Sequence, residues 1–219
     1  MAEKSSIGLS DRQLKLVIRK QKEFRGEKIE SETLLEEAFK IRHKIFCEQL
    51  GWVEPSKENG KEKDRYDKFA THFGVYDGEK LCGYFRLLNS DQEFMLEDEF
   101  NELHPGDKAV PGKGSSAEIS RLAISSRRKK IKKFVTAMLL YRIIYQWFVK
   151  NNKQYCYVVV TEEYLQSLQK VFPFRKIGKI NYYQPETATT AAIASLKETN
   201  KVLAETSEEF LKWLRTGLK

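Results

Sequence analysis

Between Glu118 and Glu162 the chain carries no acidic residue, and those 43 positions hold ten lysines and arginines. The stretch reads as three elements. Ala117 to Ile124 has the pattern of a strand, Lys133 to Lys150 that of a long helix, and Tyr155 to Val160 that of a buried, β-rich strand. Strand, helix and strand in this order predict a parallel crossover, because two parallel neighbours cannot be joined by a tight turn. Upstream, Thr71 to Tyr76 and Lys80 to Leu88 flank Asp77-Gly78, a pair that tolerates the positive φ angles of a two-residue hairpin. A hairpin beside a crossover makes the sheet mixed. The chain is therefore expected to fold as α/β (or α+β), with a twisted mixed sheet flanked by helices.

The remaining segments fit around that frame. Leu9 to Phe24 is expected to be a weakly periodic helix and Lys28 to Ser31 a short strand. Thr33 with Glu36 has the spacing of a capping box, and the apolar positions that follow predict an amphipathic helix over 33–50, closed by Gly51. Val53 to Lys68 is so charged that it reads as a loop outside the core, of the length that covers sites. A short helix is expected at Leu96 to Leu103, and a helix at Glu162 to Val171. Phe174 to Gln184 reads as the last strand, and 189–203 and 207–216 as helices. This divides the chain into an N-terminal arm (1–30), one domain (31–185) and a helical C-terminal extension (186–219).

Hydrophobic residues make up 41% and charged residues 32% of the 219, an ordinary globular balance. The longest apolar run, Phe134 to Val149, is interrupted by Arg142 and Gln146, so no membrane-spanning helix is expected. Met1 to Ser10 has no apolar core of a secretion signal. Cys47, Cys82 and Cys156 are scattered and odd in number, which fits neither a disulfide framework nor a zinc cluster. A cytoplasmic protein is expected.

The net charge is +8, yet outside the basic stretch there are 29 basic and 31 acidic residues. The excess is local, so the partner it suggests is an anion at one place. The turn Ser125-Ser126-Arg127-Arg128-Lys129-Lys130 lies between a strand and a helix N-terminus, where free N–H groups and the helix dipole favour a phosphate. Nucleic acid is the weaker reading, because Phe134, Tyr141 and Tyr145 recur at helical spacing and belong in a core. Glu118 and Arg121 would face opposite sides of a regular strand, and a bulge would bring them to one. No nucleophile motif is present.

Arg42, Phe46, Trp52, Asp64, Asp67, Arg86, Glu118 and Arg121, in this order and spacing, resemble the signature of the acyl-homoserine-lactone (autoinducer) synthases and the related N-acyl amino acid synthases. The resemblance runs on to about residue 178. It implies the GNAT acyltransferase fold and transfer of an acyl group from a thioester to a primary amine. The donor would be acyl carrier protein or acyl-CoA, and the acceptor S-adenosylmethionine or an amino acid, with no tightly bound cofactor. Glu118 would act as base, with Arg121 beside it. Arg42, Phe46, Trp52, Asp64, Asp67 and Arg86 would form the acceptor side, as direct contacts or as an ion-pair lattice. Ser125, Arg127, Arg128, Lys129 and Lys130 would meet the donor. Three departures stand out, one of them the extension beyond 185, for which the autoinducer synthases offer no counterpart. The GNAT pyrophosphate loop carries glycines where this chain has Arg128-Lys129-Lys130-Ile131-Lys132-Lys133, and the charged loop after Trp52 is longer than usual. A GNAT-fold module that binds an acyl carrier or nucleic acid without turnover is the alternative.

Overall fold

The computed structural model describes residues 7–54, 60–103, 113–126, 128–183 and 187–218. Its elements in chain order are α1 (Asp11–Lys20), β1 (Phe24–Lys28), α2 (Glu32–Arg42), β2 (Thr71–Asp77), β3 (Lys80–Asn89), β4 (Ser116–Ile124), α3 (Lys130–Lys150), β5 (Tyr155–Thr161), α4 (Glu162–Gln169), β6 (Arg175–Tyr182), β7 (Ala188–Ser195), α5 (Leu196–Thr206) and α6 (Glu208–Arg215). Hydrogen-bonded strands follow the order β1-β2-β3-β4-β5-β7-β6, and the α/β class expected from the sequence holds. No helix among the described residues is long and apolar enough to cross a membrane.

The chain gathers into two compact units, and the division falls within β4. One unit comprises Leu16–Asn89 and Ile119–Ile144. Its hairpin turns at Gly78-Glu79, with φ 62° at Gly78, so Asp77 closes β2 and does not enter the turn. The β2–β3 register sets His72 opposite Arg86 and Gly74 opposite Tyr84. Side chains two apart on a strand share a face, so His72, Tyr84 and Arg86 point the same way. Ile29, Ala38, Phe46, Tyr76, Leu81, Tyr84 and Ala123 form a buried cluster here, packed by Leu34, Leu35, Ile41 and Ile45 of α2 and its continuation.

Local expectations are corrected at both ends of this unit. The helix expected over Leu9–Phe24 stops at Lys20, and the strand begins at Phe24, ahead of the expected Lys28. The capping box of Thr33 and Glu36 does not form. Ser31 is the N-cap residue, and Glu36 pairs with Lys61 and Lys63. Two lysines attract a carboxylate more than a backbone amide does.

The other unit comprises the residues up to Lys15, Ser90–Glu118 and the chain from Tyr145 on. Here the readings of 189–203 as a helix and of Phe174–Gln184 as the last strand are corrected. Ala188–Ser195 is a strand that pairs antiparallel with β5 along its whole length and with β6 on its other side. The alanines of Ala188-Thr189-Thr190-Ala191-Ala192-Ile193-Ala194 favour a helix in isolation, but two open ladders and burial of small side chains override that propensity. Ser195 then caps α5, its Oγ accepting from Glu198 N–H at 3.4 Å. The helix expected at Leu96–Leu103 is two separate 3-10 turns, Met95–Glu97 and Asn101–Leu103. The second turn presses on β6 so closely that a Cβ on Gly178 would lie 1.8 Å from the carbonyl oxygen of Leu103.

Backbone cannot step aside as a flexible side chain can. Gly178→Ala is therefore expected to lower unfolding free energy by roughly 2–3 kcal/mol, measured by urea titration. Gly114→Ala, at a site with no atom within 4 Å of the added methyl, should change it by less than ~0.5 kcal/mol.

Candidate functional site

Arg42 is the last residue of α2 and has no exposed surface. A buried guanidinium is tolerated only when its donors are met by charge. Nε donates to Glu62 Oε2 at 2.5 Å and Nη1 to Asp67 Oδ1 at 2.6 Å, and Nη2 lies 3.6 Å from Asp64 Oδ2. Arg86, on β3 and equally buried, donates through Nη1 to Asp64 and to Asp67 Oδ1 (2.9 Å), and through Nε to Ser120 Oγ at 3.0 Å. Arg121 completes the set, with Nη2 3.2 Å from Glu62 Oε1 and 3.1 Å from Asp64 Oδ2. Three arginines thus face three carboxylates, and the formal charge cancels. Each guanidinium also lies over an aromatic ring: Arg42 over Phe39, Arg86 over Tyr66 and Arg121 over Phe46, at 5.2, 5.4 and 5.6 Å.

This lattice folds a segment that composition places outside the core. Glu62 is 1% exposed and Tyr66 fully buried, so the reading of the whole Val53–Lys68 stretch as excluded from the core is corrected. Its charges turn inward because arginines await them. Glu62 N–H donates to Phe39 O at 3.1 Å, and Asp64 and Asp67 brace one another through the Asp64 N–H to Asp67 Oδ2 bond at 2.8 Å. Glu62 was not singled out by sequence reading. Its two-residue step to Asp64 and its place in a run of charged residues gave no mark of burial.

Burial pushes the Glu62 carboxyl up, but the hydrogen bond from Arg42 and the charges of Arg121 and Arg42 outweigh it, and Glu62 is held below the usual carboxylate range. Asp67 is lowered in the same way, with Arg42 and Arg86 overcoming its burial.

The expected single helix over 33–50 changes character after Arg42. His43–Gln49 is π-helical, a rare, wider winding that is frequent at functional sites. Phe46 lies in it. Its carbonyl receives Trp52 N–H at 2.8 Å and Val53 N–H at 3.2 Å, which folds the exit segment back and sets the two rings 6.2 Å apart. Phe46 is buried, whereas Trp52 is 37% exposed, so the pair offers an aromatic wall at the surface.

Arg121 adopts φ 53°, a left-handed conformation that costs a non-glycine residue energy. From this backbone Arg121 reaches Glu62 and Asp64. Glu118 precedes it and belongs to the other unit, where it is 1% exposed and its Oε2 accepts from Leu96 N–H at 3.2 Å.

The basic turn is more differentiated than its sequence. Arg128 and Lys132 both donate to Asp77 Oδ2 at the hairpin end, Lys132 at 2.6 Å. Lys129 and Lys130 are exposed, and Ile131 beside them is 53% exposed. Ser125 N–H donates to Cys82 O at 3.0 Å, so this amide is committed to backbone pairing. Arg127 lies outside the described residues. Burial pushes the thiols of Cys47, Cys82 and Cys156 up, which keeps all three protonated near neutrality.

The family model described as "Autoinducer synthase" matches residues 27–203. The acyl-homoserine-lactone synthase of Aliivibrio fischeri (strain ATCC 700601 / ES114) is 31% identical over 147 residues, covering 63% of this chain and 73% of that protein. That of Aeromonas salmonicida is 36% identical over 93 residues, but the match spans only 42% of this chain and 44% of that protein. Among solved structures, the AHL synthase LasI superposes with a TM-score of 0.71 at 24% identity, covering 84% of this chain and 94% of that one. FeeM, an N-acyl amino acid synthase from uncultured soil microbes, gives 0.63 at 17% identity, covering 81% and 93%. At these identities the two structures establish the fold.

Glu62→Gln keeps the shape of the side chain and removes the charge that Arg42 and Arg121 share, so it should cost roughly 3–5 kcal/mol of stability, read by chemical denaturation. The lowered carboxylates also set an acid limit. Their folded pKa values lie below the unfolded ones, so their stabilisation is complete above the unfolded range and lost as pH falls. Denaturation midpoints should hold steady from about pH 8 to 5 and decline below about pH 4.

Proposed function

Because this chain belongs to the autoinducer synthase family, we propose that it is an N-acyltransferase that makes an acyl-homoserine lactone from an acyl thioester and S-adenosylmethionine. The observation that carries this reading is that Arg42, Asp64, Asp67, Arg86 and Arg121, five residues of the resemblance, converge on one buried lattice. In the reaction the amine nitrogen bonds to the thioester carbonyl carbon, the carbon–sulfur bond breaks and the pantetheine thiol leaves; the acceptor's carboxylate oxygen then bonds to its own γ-carbon, the bond from that carbon to the sulfonium sulfur breaks, and methylthioadenosine leaves as the lactone closes. The amine must first lose a proton, and Glu118 is our choice of base. No covalent enzyme intermediate is needed, in keeping with three protonated thiols.

The lattice commits Nε and Nη1 of Arg42 to Glu62 and Asp67, so we assign Arg42, Asp64, Asp67 and Arg86 to holding the site's shape. The acceptor would lie against Phe46 and Trp52. For the donor we favour an acyl carrier protein. Exposed Lys129 and Lys130 around Ile131 suit an acidic protein surface with an apolar spot, whereas a first turn without glycine hinders close approach of a pyrophosphate. Such donors are cytoplasmic, and we place the protein there. An amino acid is the second candidate acceptor, favoured by the fold shared with FeeM.

The deciding experiment offers the purified protein acyl-carrier and acyl-CoA thioesters together with S-adenosylmethionine and the twenty amino acids, and identifies products by mass spectrometry. An acyl-homoserine lactone is the expected product. An N-acyl amino acid would reassign the acceptor, and absence of any product would overturn acyl transfer in favour of a binding module. With product in hand, Glu118→Gln should lower kcat by about 10²-fold or more at a nearly unchanged melting temperature. Lys129→Glu with Lys130→Glu should raise KM for the carrier-bound donor about tenfold and leave acyl-CoA little affected. Equal effects on both donors would reject carrier docking.

A further inference from the structure

His72 is a buried titratable residue that neither the resemblance nor the proposed chemistry uses. It sits on β2 with 5% exposure, edge-on to the Phe39 ring of α2 and stacked against the Tyr84 ring of β3. Both ring nitrogens are engaged. Nε2 lies 3.1 Å from the carbonyl oxygen of Asp67, and Nδ1 lies 2.7 Å from the hydroxyl of Tyr84.

The chemistry of these partners fixes every proton. A carbonyl oxygen only accepts, so Nε2 carries the hydrogen. A neutral imidazole has one N–H, so Nδ1 is a bare acceptor and the Tyr84 hydroxyl donates to it. That leaves the lone pairs of the Tyr84 oxygen free to accept, and Arg42 Nη1 approaches them at 3.5 Å. The same Nη1 donates to the Asp67 carboxylate at 2.6 Å. The path closes on itself: Arg42 to Tyr84, Tyr84 to His72, His72 to the Asp67 main chain, and Asp67 side chain back to Arg42. Asp67 is gripped twice, once by its peptide and once by its carboxylate.

We propose that His72 and Tyr84 are positioning residues, in which a neutral Nε2-protonated His72 closes a hydrogen-bonded ring that sets Arg42 and Asp67 for the acceptor site. A protonated His72 would present N–H at both nitrogens, so the Tyr84 oxygen would have to accept from Nδ1 and turn its own hydrogen out of the ring. The donor order Arg42 to Tyr84 to His72 to Asp67 therefore holds only with neutral imidazole. Burial above all holds His72 below the usual imidazole range. The charged and titratable groups around it are Arg42 of α2, Tyr84 and Arg86 of β3, and Asp67 of the preceding segment, whose carboxylate and backbone oppose the shift. The kinetic consequence rests on the acyl-transfer reading, but the ring does not.

The test has two arms. Nitrogen-15 NMR of the full chain at pH 7 should show His72 neutral with its proton on Nε2, and the Nδ1 resonance should move in Tyr84→Phe. An Nδ1-protonated ring, an imidazolium or an unmoved resonance would overturn the ring. In steady-state kinetics Tyr84→Phe should raise KM for the acceptor roughly tenfold and leave KM for the donor unchanged, since only the acceptor side is loosened. The wild-type kcat/KM for the acceptor should fall only as pH drops below the usual imidazole range, and His72→Gln, which cannot titrate, should lose that limb. A lowered melting temperature with both KM values unchanged would make the pair merely structural and overturn the positioning role. Should the wild type form no product with any acceptor, the acyl-transfer reading fails, while the NMR arm still decides the ring.

Discussion

A guanidinium with no exposed surface at the end of α2 is the fact to which the rest of the site answers. Taking Arg42 out of water costs several kcal/mol, and that cost is offset only if carboxylates surround it with good geometry. Glu62, Asp64 and Asp67 supply them, which forces the 60–69 segment inward. Three negative charges in turn demand more than one partner, and Arg86 and Arg121 arrive from two strands to balance them. Helix, loop and sheet are joined through charge where side-chain packing alone would leave choices open.

Such a lattice is poor value as stability, since well-packed apolar groups often do as well. Its strength is geometric specification. Each guanidinium has a planar set of donors, so each carboxylate has one place to be. Arg121 accepts a left-handed backbone to reach its partners, and the winding of α2 loosens into a π-helix just beyond Arg42, carrying Phe46 under Arg121 and Trp52 toward solvent. Backbone strain and a rare helix type next to a balanced charge cluster are the marks of a site held in shape at some energetic cost.

The basic turn shows the opposite use of charge. Asp77 neutralises Arg128 and Lys132 and so ties the first turn of α3 to the hairpin, leaving Lys129 and Lys130 in solvent. Exposed like charges on a fixed base attract an anionic partner at a distance without committing to one close geometry. Among the described cations of the turn, Arg128 and Lys132 thus serve the fold, while Lys129 and Lys130 stay exposed.

Much of this was legible in the sequence. The crossover from 117 to 160 and the hairpin around Gly78 follow from periodicity and turn chemistry, each a property of residues near one another in the chain, and five of the eight residues that carry the resemblance meet in the lattice. Glu62 and the strand at Ala188–Ser195 were not legible, for one physical reason. Each is decided by partners elsewhere in the chain: Arg121 for Glu62, β5 and β6 for an alanine-rich segment. Ser195 caps α5, but nothing local said that the residues before it were a strand. The sequence by itself determined which side chains could bear charge and where the chain must turn. Only the tertiary structure decided which charges would be buried, because the cost of burying one depends wholly on what the fold brings to meet it.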